Sequence, residues 1–155
     1  MPGKATKTLI RFDFLIKGFS LKELNRLRLF IVSIFKENRK QLSSLNYIFC
    51  SDRYLLKINQ TFLKHDYYTD IISFDLSPGK VTQGEIFISI DRVRENAANF
   101  ERSFKEELHR VIFHGALHLC GLNDKTEIEK SKMRRMEDKY LKKYLGKVPR
   151  STVSS

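Results

Sequence analysis

Cysteine is scarce in this 155-residue chain, tryptophan is absent, and neither a long apolar run nor a matching supply of acid is present. Two cysteines, Cys50 and Cys120, are too few for a disulfide framework and too far apart to read as a zinc knuckle, so a reducing compartment is expected. The longest nearly unbroken apolar stretch, Leu29 to Phe35, falls far short of the ~20 residues a membrane-spanning helix needs. The first apolar stretch, Leu9 to Ile16, is interrupted by Arg11 and Asp13, which leaves no signal-peptide core. No internal repeat or low-complexity segment is evident. A cytoplasmic protein without membrane contact is the expectation. Its 41% apolar content, with 12 Phe and 6 Tyr, suffices for one well-buried core and excludes a disordered tail. Lys and Arg number 29 against 18 Asp and Glu, a net +11 that attracts polyanions, nucleic acid first among them. The alternative is a basic face kept for solubility. The surplus is uneven: residues 130–150 hold nine Lys or Arg against only Glu137 and Asp138.

Hydrophobic periodicity divides the chain. Ile10, Phe12, Phe14 and Ile16 alternate as in a half-covered strand, and Ser20 with Glu23 reads as a capping box opening a helix to about Asn38. Leu45 to Cys50 reads as a buried strand, and a helix from Ser51 carries Tyr54, Leu55, Ile58 and Phe62. Ile71 to Phe74 and Glu85 to Ile90 flank a Pro78-Gly79 turn and predict a hairpin. Helical pattern resumes from Asp91 to about Phe100. Ser103 with Glu106 and Thr126 with Glu129 are capping boxes for two further helices, the first stopping at Gly121 and the second near Tyr144. The expected fold is α+β: a small mixed sheet of about four strands packed with about five helices. It forms one domain over residues 1–155, with flexible basic termini at about 1–7 and 146–155.

Chemistry concentrates at the end of the Ser103 helix. His114 and His118, four apart, place two imidazoles on one face, and the break at Gly121 lets the chain double back with Asn123 or Asp124. Two nitrogens and one carboxylate oxygen suit Zn2+ and leave a fourth position open, the mark of a catalytic site. Without a metal, the pair would be helix-end histidines satisfied by backbone and solvent. Cys120 lies about 200° round from His118 and reads as core, and His109, about 140° off the ligand face, reads as structural.

The string HGALHLCGLND, His114 to Asp124, resembles the metal signature of the YbeY family of single-strand-specific endoribonucleases. INQTFLKHDYYTDIISFD, Ile58 to Asp75, and GEIFIS, Gly84 to Ser89, resemble two further family segments in the same order. The family signature usually has a third His ten positions after the first, where this chain has Asp124, and a Gly-Tyr-Asp turn where it has Leu122 and Asn123 after Gly121. Leu63 stands where the family usually has a functional Arg, whose role would pass to Lys64 or His65. The resemblance implies a zinc-dependent endoribonuclease of ribosomal RNA maturation, including the 16S rRNA 3′ end and ribosome quality control. It implies His114, His118 and Asp124 as ligands of one Zn2+ per chain, with single-stranded RNA, ribosomal RNA and the ribosome surface as partners.

Gly115 follows His114 where HExxH peptidases carry their glutamate, which makes a peptidase the weaker reading. Arg110 shares the ligand face and would hold a phosphate, or else form a surface ion pair with Glu106 or Glu107. Asp70 would orient water or a ligand imidazole, or cap a loop, and Ser73 flanks the same strand. Tyr67 and Tyr68 would stack unpaired bases beside Lys64 and His65, or one of them would be core. A second reading is a non-catalytic, ribosome-associated RNA-binding factor with a structural metal. A third is a metallohydrolase of another phosphoester or amide. The sequence sets no oligomeric state.

Overall fold

The alternation of Ile10, Phe12 and Phe14 makes β1 (Leu9–Phe14), which turns these three side chains toward the main core. The computed structural model describes residues 8–146; apart from Gly146, the termini expected to be flexible lie outside that range. The elements that follow are α1 (Leu24–Glu37), β2 (Leu42–Cys50), α2 (Asp52–Phe62), β3 (Ile71–Asp75), β4 (Thr82–Ser89), α3 (Ile90–Asn99), α4 (Phe104–Leu119) and α5 (Glu127–Leu145). Among the described residues, four strands and five helices in one α+β unit match the expected class. The sheet order is β1-β2-β4-β3: β1 and β4 run parallel to β2, and β3 pairs antiparallel with β4 in the predicted hairpin. Each parallel neighbour needs a crossover, supplied by α1 for the first pair and by α2 with β3 for the second.

Leu27, Ile31, Ile34 and Phe35 line the buried face of α1 and pack with Tyr47, Phe49, Ile86 and Ile88 of the central strands beneath α4. The opposite face of the sheet carries a smaller core, Cys50, Leu55 and Ile72, covered by α2. Cys120 belongs to the main core, as expected. Two glycines set the height of α4 above the sheet. A Cβ at Gly115 would stand 2.9 Å from Ile86 and 3.0 Å from Ile71, and one at Gly84 would stand 2.6 Å from Leu119. The Tyr47 hydroxyl donates to the Ile112 carbonyl at 2.8 Å, which satisfies a buried polar group and ties β2 to α4.

Capping follows the expectation unevenly. Thr126 and Glu129 form the full reciprocal box at α5. Ser103 accepts from the Glu106 backbone N–H, but the Glu106 carboxylate turns to Arg102 and Arg110 and the return half is missing. The Ser20-Glu23 box does not form. Its helix starts at Leu24 with Glu23 itself as N-cap, at φ 54, a left-handed entry incompatible with the extended cap residue the box requires. Among the described residues, no helix is long and apolar enough to cross a membrane.

Candidate metal centre

One turn of α4 separates His114 from His118, and their rings meet edge to face with centroids 4.6 Å apart. The helix then stops in a left-handed turn. Gly121, at φ +100, donates to the His118 carbonyl at 2.9 Å, and Leu122 donates to the Leu117 carbonyl at 3.1 Å. That reversal returns Asp124 to the histidine face. Its Oδ2 lies 3.4 Å from His114 Nε2 and 3.3 Å from His118 Nε2, and one donor atom from each residue falls within 4.8 Å of the others. Two ligands about 2.05 Å from a common ion at the tetrahedral angle stand ~3.3 Å apart. The two imidazole–carboxylate separations therefore suit a divalent ion, and Asp124 is the acid that meets both histidines.

The second nitrogen of His114 is committed elsewhere. Its Nδ1 meets Glu137 Oε2 of α5 at 2.6 Å, which leaves Nε2 facing Asp124. Glu137 is buried and in turn accepts from Arg110 at 3.1 Å, while Arg110 also reaches Asp138 at 2.9 Å and Glu106 at 3.7 Å. Arg110 is thus neither a surface pair nor a free phosphate clamp. Because α5 packs across α4, its carboxylates occupy the guanidinium that helical spacing alone directed toward the ligands. Burial opposes charge on His114, but the Glu137 hydrogen bond and charge, with Asp124 and Asp70, outweigh it and raise the pKa. His118 shifts down through burial and the neighbouring His114 charge, with Asp124 and Glu137 opposing.

These groups line a cavity of about 770 Å³ whose wall also includes Asp70, Ser73 and Tyr67. Asp70 sits just before β3, its carbonyl accepting from the Ser89 N–H at 2.9 Å and its carboxylate 3.4 Å from Asn96. Burial raises its pKa against the pull of His114. Tyr67 and Tyr68 are 56% and 53% exposed, so neither is core. The Tyr67 hydroxyl meets His65 Nδ1 at 2.9 Å, and Tyr68 lies beneath the Arg92 guanidinium. Leu63 caps α2, and neither it nor Lys64 nor His65 lines the cavity. His109 is buried, with Nδ1 on the Lys105 carbonyl, as a structural residue should be. Glu137 is the residue sequence reasoning missed. The available signal is the pair Glu137 and Asp138 within the basic run that follows the first turn of α5.

Comparison with known proteins bears on this site. The family model described as endoribonuclease YbeY matches residues 17–145. A protein of that name from Cytophaga hutchinsonii is 52% identical over 122 residues, covering 77% of this chain and 85% of the relative. One from Flavobacterium psychrophilum is 46% identical over 134 residues, covering 86% and 95%. A solution structure of a Thermotoga maritima protein superposes with a TM-score of 0.60 at 25% identity, covering 90% of each chain.

Proposed function

Because the chain belongs to the endoribonuclease YbeY family, we infer that it is a metal-dependent endoribonuclease of ribosomal RNA processing. We propose that the metal is zinc, one per chain, held by His114, His118 and Asp124, and that the substrate strand is unpaired RNA. The carrying observation is the convergence of three donors within 4.8 Å of one another, both imidazoles standing 3.3–3.4 Å from the Asp124 carboxylate, in the wall of a polar cavity. A structural zinc site is closed by four protein ligands, whereas only three converge here among the described residues, which favours catalysis over a purely structural metal. When bound, such an ion acts as a Lewis acid toward a phosphoryl oxygen and activates coordinated water.

The chain's own residues supply the rest. Glu137 fixes the His114 tautomer and orients its ring, and Arg110 holds Glu137 in place. Arg110 is therefore a positioning residue whose charge also moderates an acidic wall. Asp70, whose carboxyl pKa burial raises, holds a proton more readily than an exposed aspartate and stands in the cavity wall, where it is placed to take and return one. The Ser73 hydroxyl lines the same wall and can hydrogen-bond a phosphate oxygen or water. The ribosome surface as partner and the cytoplasm as location follow from ribosomal RNA as substrate.

The test is metal analysis beside cleavage assays on single-stranded RNA, duplex RNA, DNA and peptide. Stoichiometric zinc that is lost in Asp124→Ala, with cleavage confined to single-stranded RNA, is expected. Cleavage surviving in metal-free protein would refute the reading.

A further inference from the structure

The metal cavity does not end at its own wall. Leu119 and Asp75 line it and also line a second groove of about 450 Å³, so the two spaces adjoin across that pair of residues. Arg39, Lys40 and Lys80 border this groove, and among the described residues the only carboxylate on it is Asp75. All three cations are exposed, and among the described residues none of them forms an ion pair. Inside the metal cavity two of the three arginines are engaged, Arg102 with Glu107 at 3.0 Å and Arg110 with Glu137 and Asp138, while Arg134 is exposed and without an ion pair among the described residues. Lys40 and Gln41 continue the surface into a third depression that also carries Lys36. The cations available to a polyanion next to the metal centre therefore include a run along one side, around the end of α1.

The backbone at Arg39 adds an independent observation. Arg39 donates to the Lys36 carbonyl at 3.0 Å and Lys40 to the Phe35 carbonyl at 2.9 Å, the two bonds of a left-handed helix ending. The left-handed residue is Arg39, at φ 59, where glycine is the favoured choice; α4 ends in the same motif with Gly121. Lys64 and Glu101 also adopt left-handed φ, so strain alone selects nothing. Arg39 differs in that its side chain borders the groove.

We propose that Arg39, Lys40 and Lys80 form a phosphate track that carries one flank of a single-stranded RNA away from the metal centre. The scissile phosphate sits in the cavity, the strand crosses between Leu119 and Asp75, and its next phosphates lie against the three cations. This rests on RNA being the substrate. It makes affinity depend on strand length on one side of the cut.

Full-length wild type, the triple variant Arg39→Gln, Lys40→Gln, Lys80→Gln, and Arg39→Gly alone would be compared. Each would be measured for zinc content, melting temperature, and binding and cleavage of single-stranded RNA oligomers lengthened from one end or the other. The triple variant keeps its zinc and its kcat at saturating RNA. Its KM rises, at about two- to fivefold per cation, and it loses the affinity gain from lengthening one end only. The slope of log affinity against log salt falls by about 2, at ~0.7 per phosphate contact on a single strand. Arg39→Gly separates the track from a structural role: it relieves a left-handed residue and raises the melting temperature, yet weakens RNA binding. Unchanged RNA affinity, length dependence and salt slope in the triple variant would overturn the track, as would a wild type that binds no RNA. A wild type that binds RNA through these cations but does not cleave it would refute the nuclease reading and leave the track standing.

Discussion

His109 stacks on Tyr144 with ring centroids 5.3 Å apart, whereas His114, on the same helix, meets the Glu137 carboxylate at 2.6 Å. Both partners come from α5, and both histidines are largely enclosed. Burial depresses the His109 pKa, and the Lys105 carbonyl only partly offsets it. On His114 the same burial is outweighed by Glu137, and the shift is upward. One seam between two helices therefore makes one imidazole a neutral packing element and the other an oriented, polarised donor. What differs is whether the facing residue is an aromatic ring or a carboxylate.

The comparison breaks most visibly on truncation. His114→Ala and His118→Ala should fold, lose bound metal and drop RNA cleavage to background. His109→Ala should keep metal and cleavage but lose about 2 kcal/mol or more of stability in denaturant unfolding, the cost of emptying a buried ring site. Next in size is the facing carboxylate. Glu137→Gln should weaken metal affinity by ~10–100-fold in competition titrations. Glu137→Ala should in addition cost about 3–5 kcal/mol, since the buried Arg110 loses a partner. Tyr144→Phe should leave metal affinity unchanged.

Smaller still is the effect of spacing beneath the seam. Gly115→Ala should destabilise by about 1–3 kcal/mol, because the methyl would meet Ile86 and Ile71. The smallest effect is on the pH profile of the metal-free protein. His114 has a raised folded pKa, so its contribution is complete below the unfolded value near 6.5 and disappears as pH rises through the folded value. His109 has a depressed one and acts oppositely: stability is complete above 6.5 and declines as pH falls toward the folded value. Urea unfolding across pH should show His109→Phe flattening the acidic limb and His114→Phe the neutral one.

Local rules made much of this legible in the sequence. Ser103 and Thr126 accept the capping bonds expected of them, the Pro78-Gly79 turn separates a real hairpin, and Gly121 returns Asp124 to the histidines. Each of those relations spans a few residues along the chain, where spacing is informative. The parallel pairing of β2 with both β1 and β4 involves partners far apart in sequence, and alternation alone does not register it. The Glu137 contact spans 23 positions and depends on how α5 crosses α4. Helical spacing puts Arg110 on the face of His114, but the Glu137 and Asp138 carboxylates that enclose it belong to that same crossing. Ser20 with Glu23 had the spacing of a capping box and failed on a backbone angle, which composition does not encode.

The two layers covering the sheet hold one thiol each, Cys50 under α2 and Cys120 beneath the end of α4. Burial pushes both thiols up to about 12, so almost no thiolate is present at neutral pH and a soluble alkylating reagent must wait for the protein to open. Each sulfur is then a natural stopwatch for its own side of the sheet. Labelling of Cys50 ahead of Cys120 would show the thin α2 layer lifting while the layer bearing the histidines stays shut.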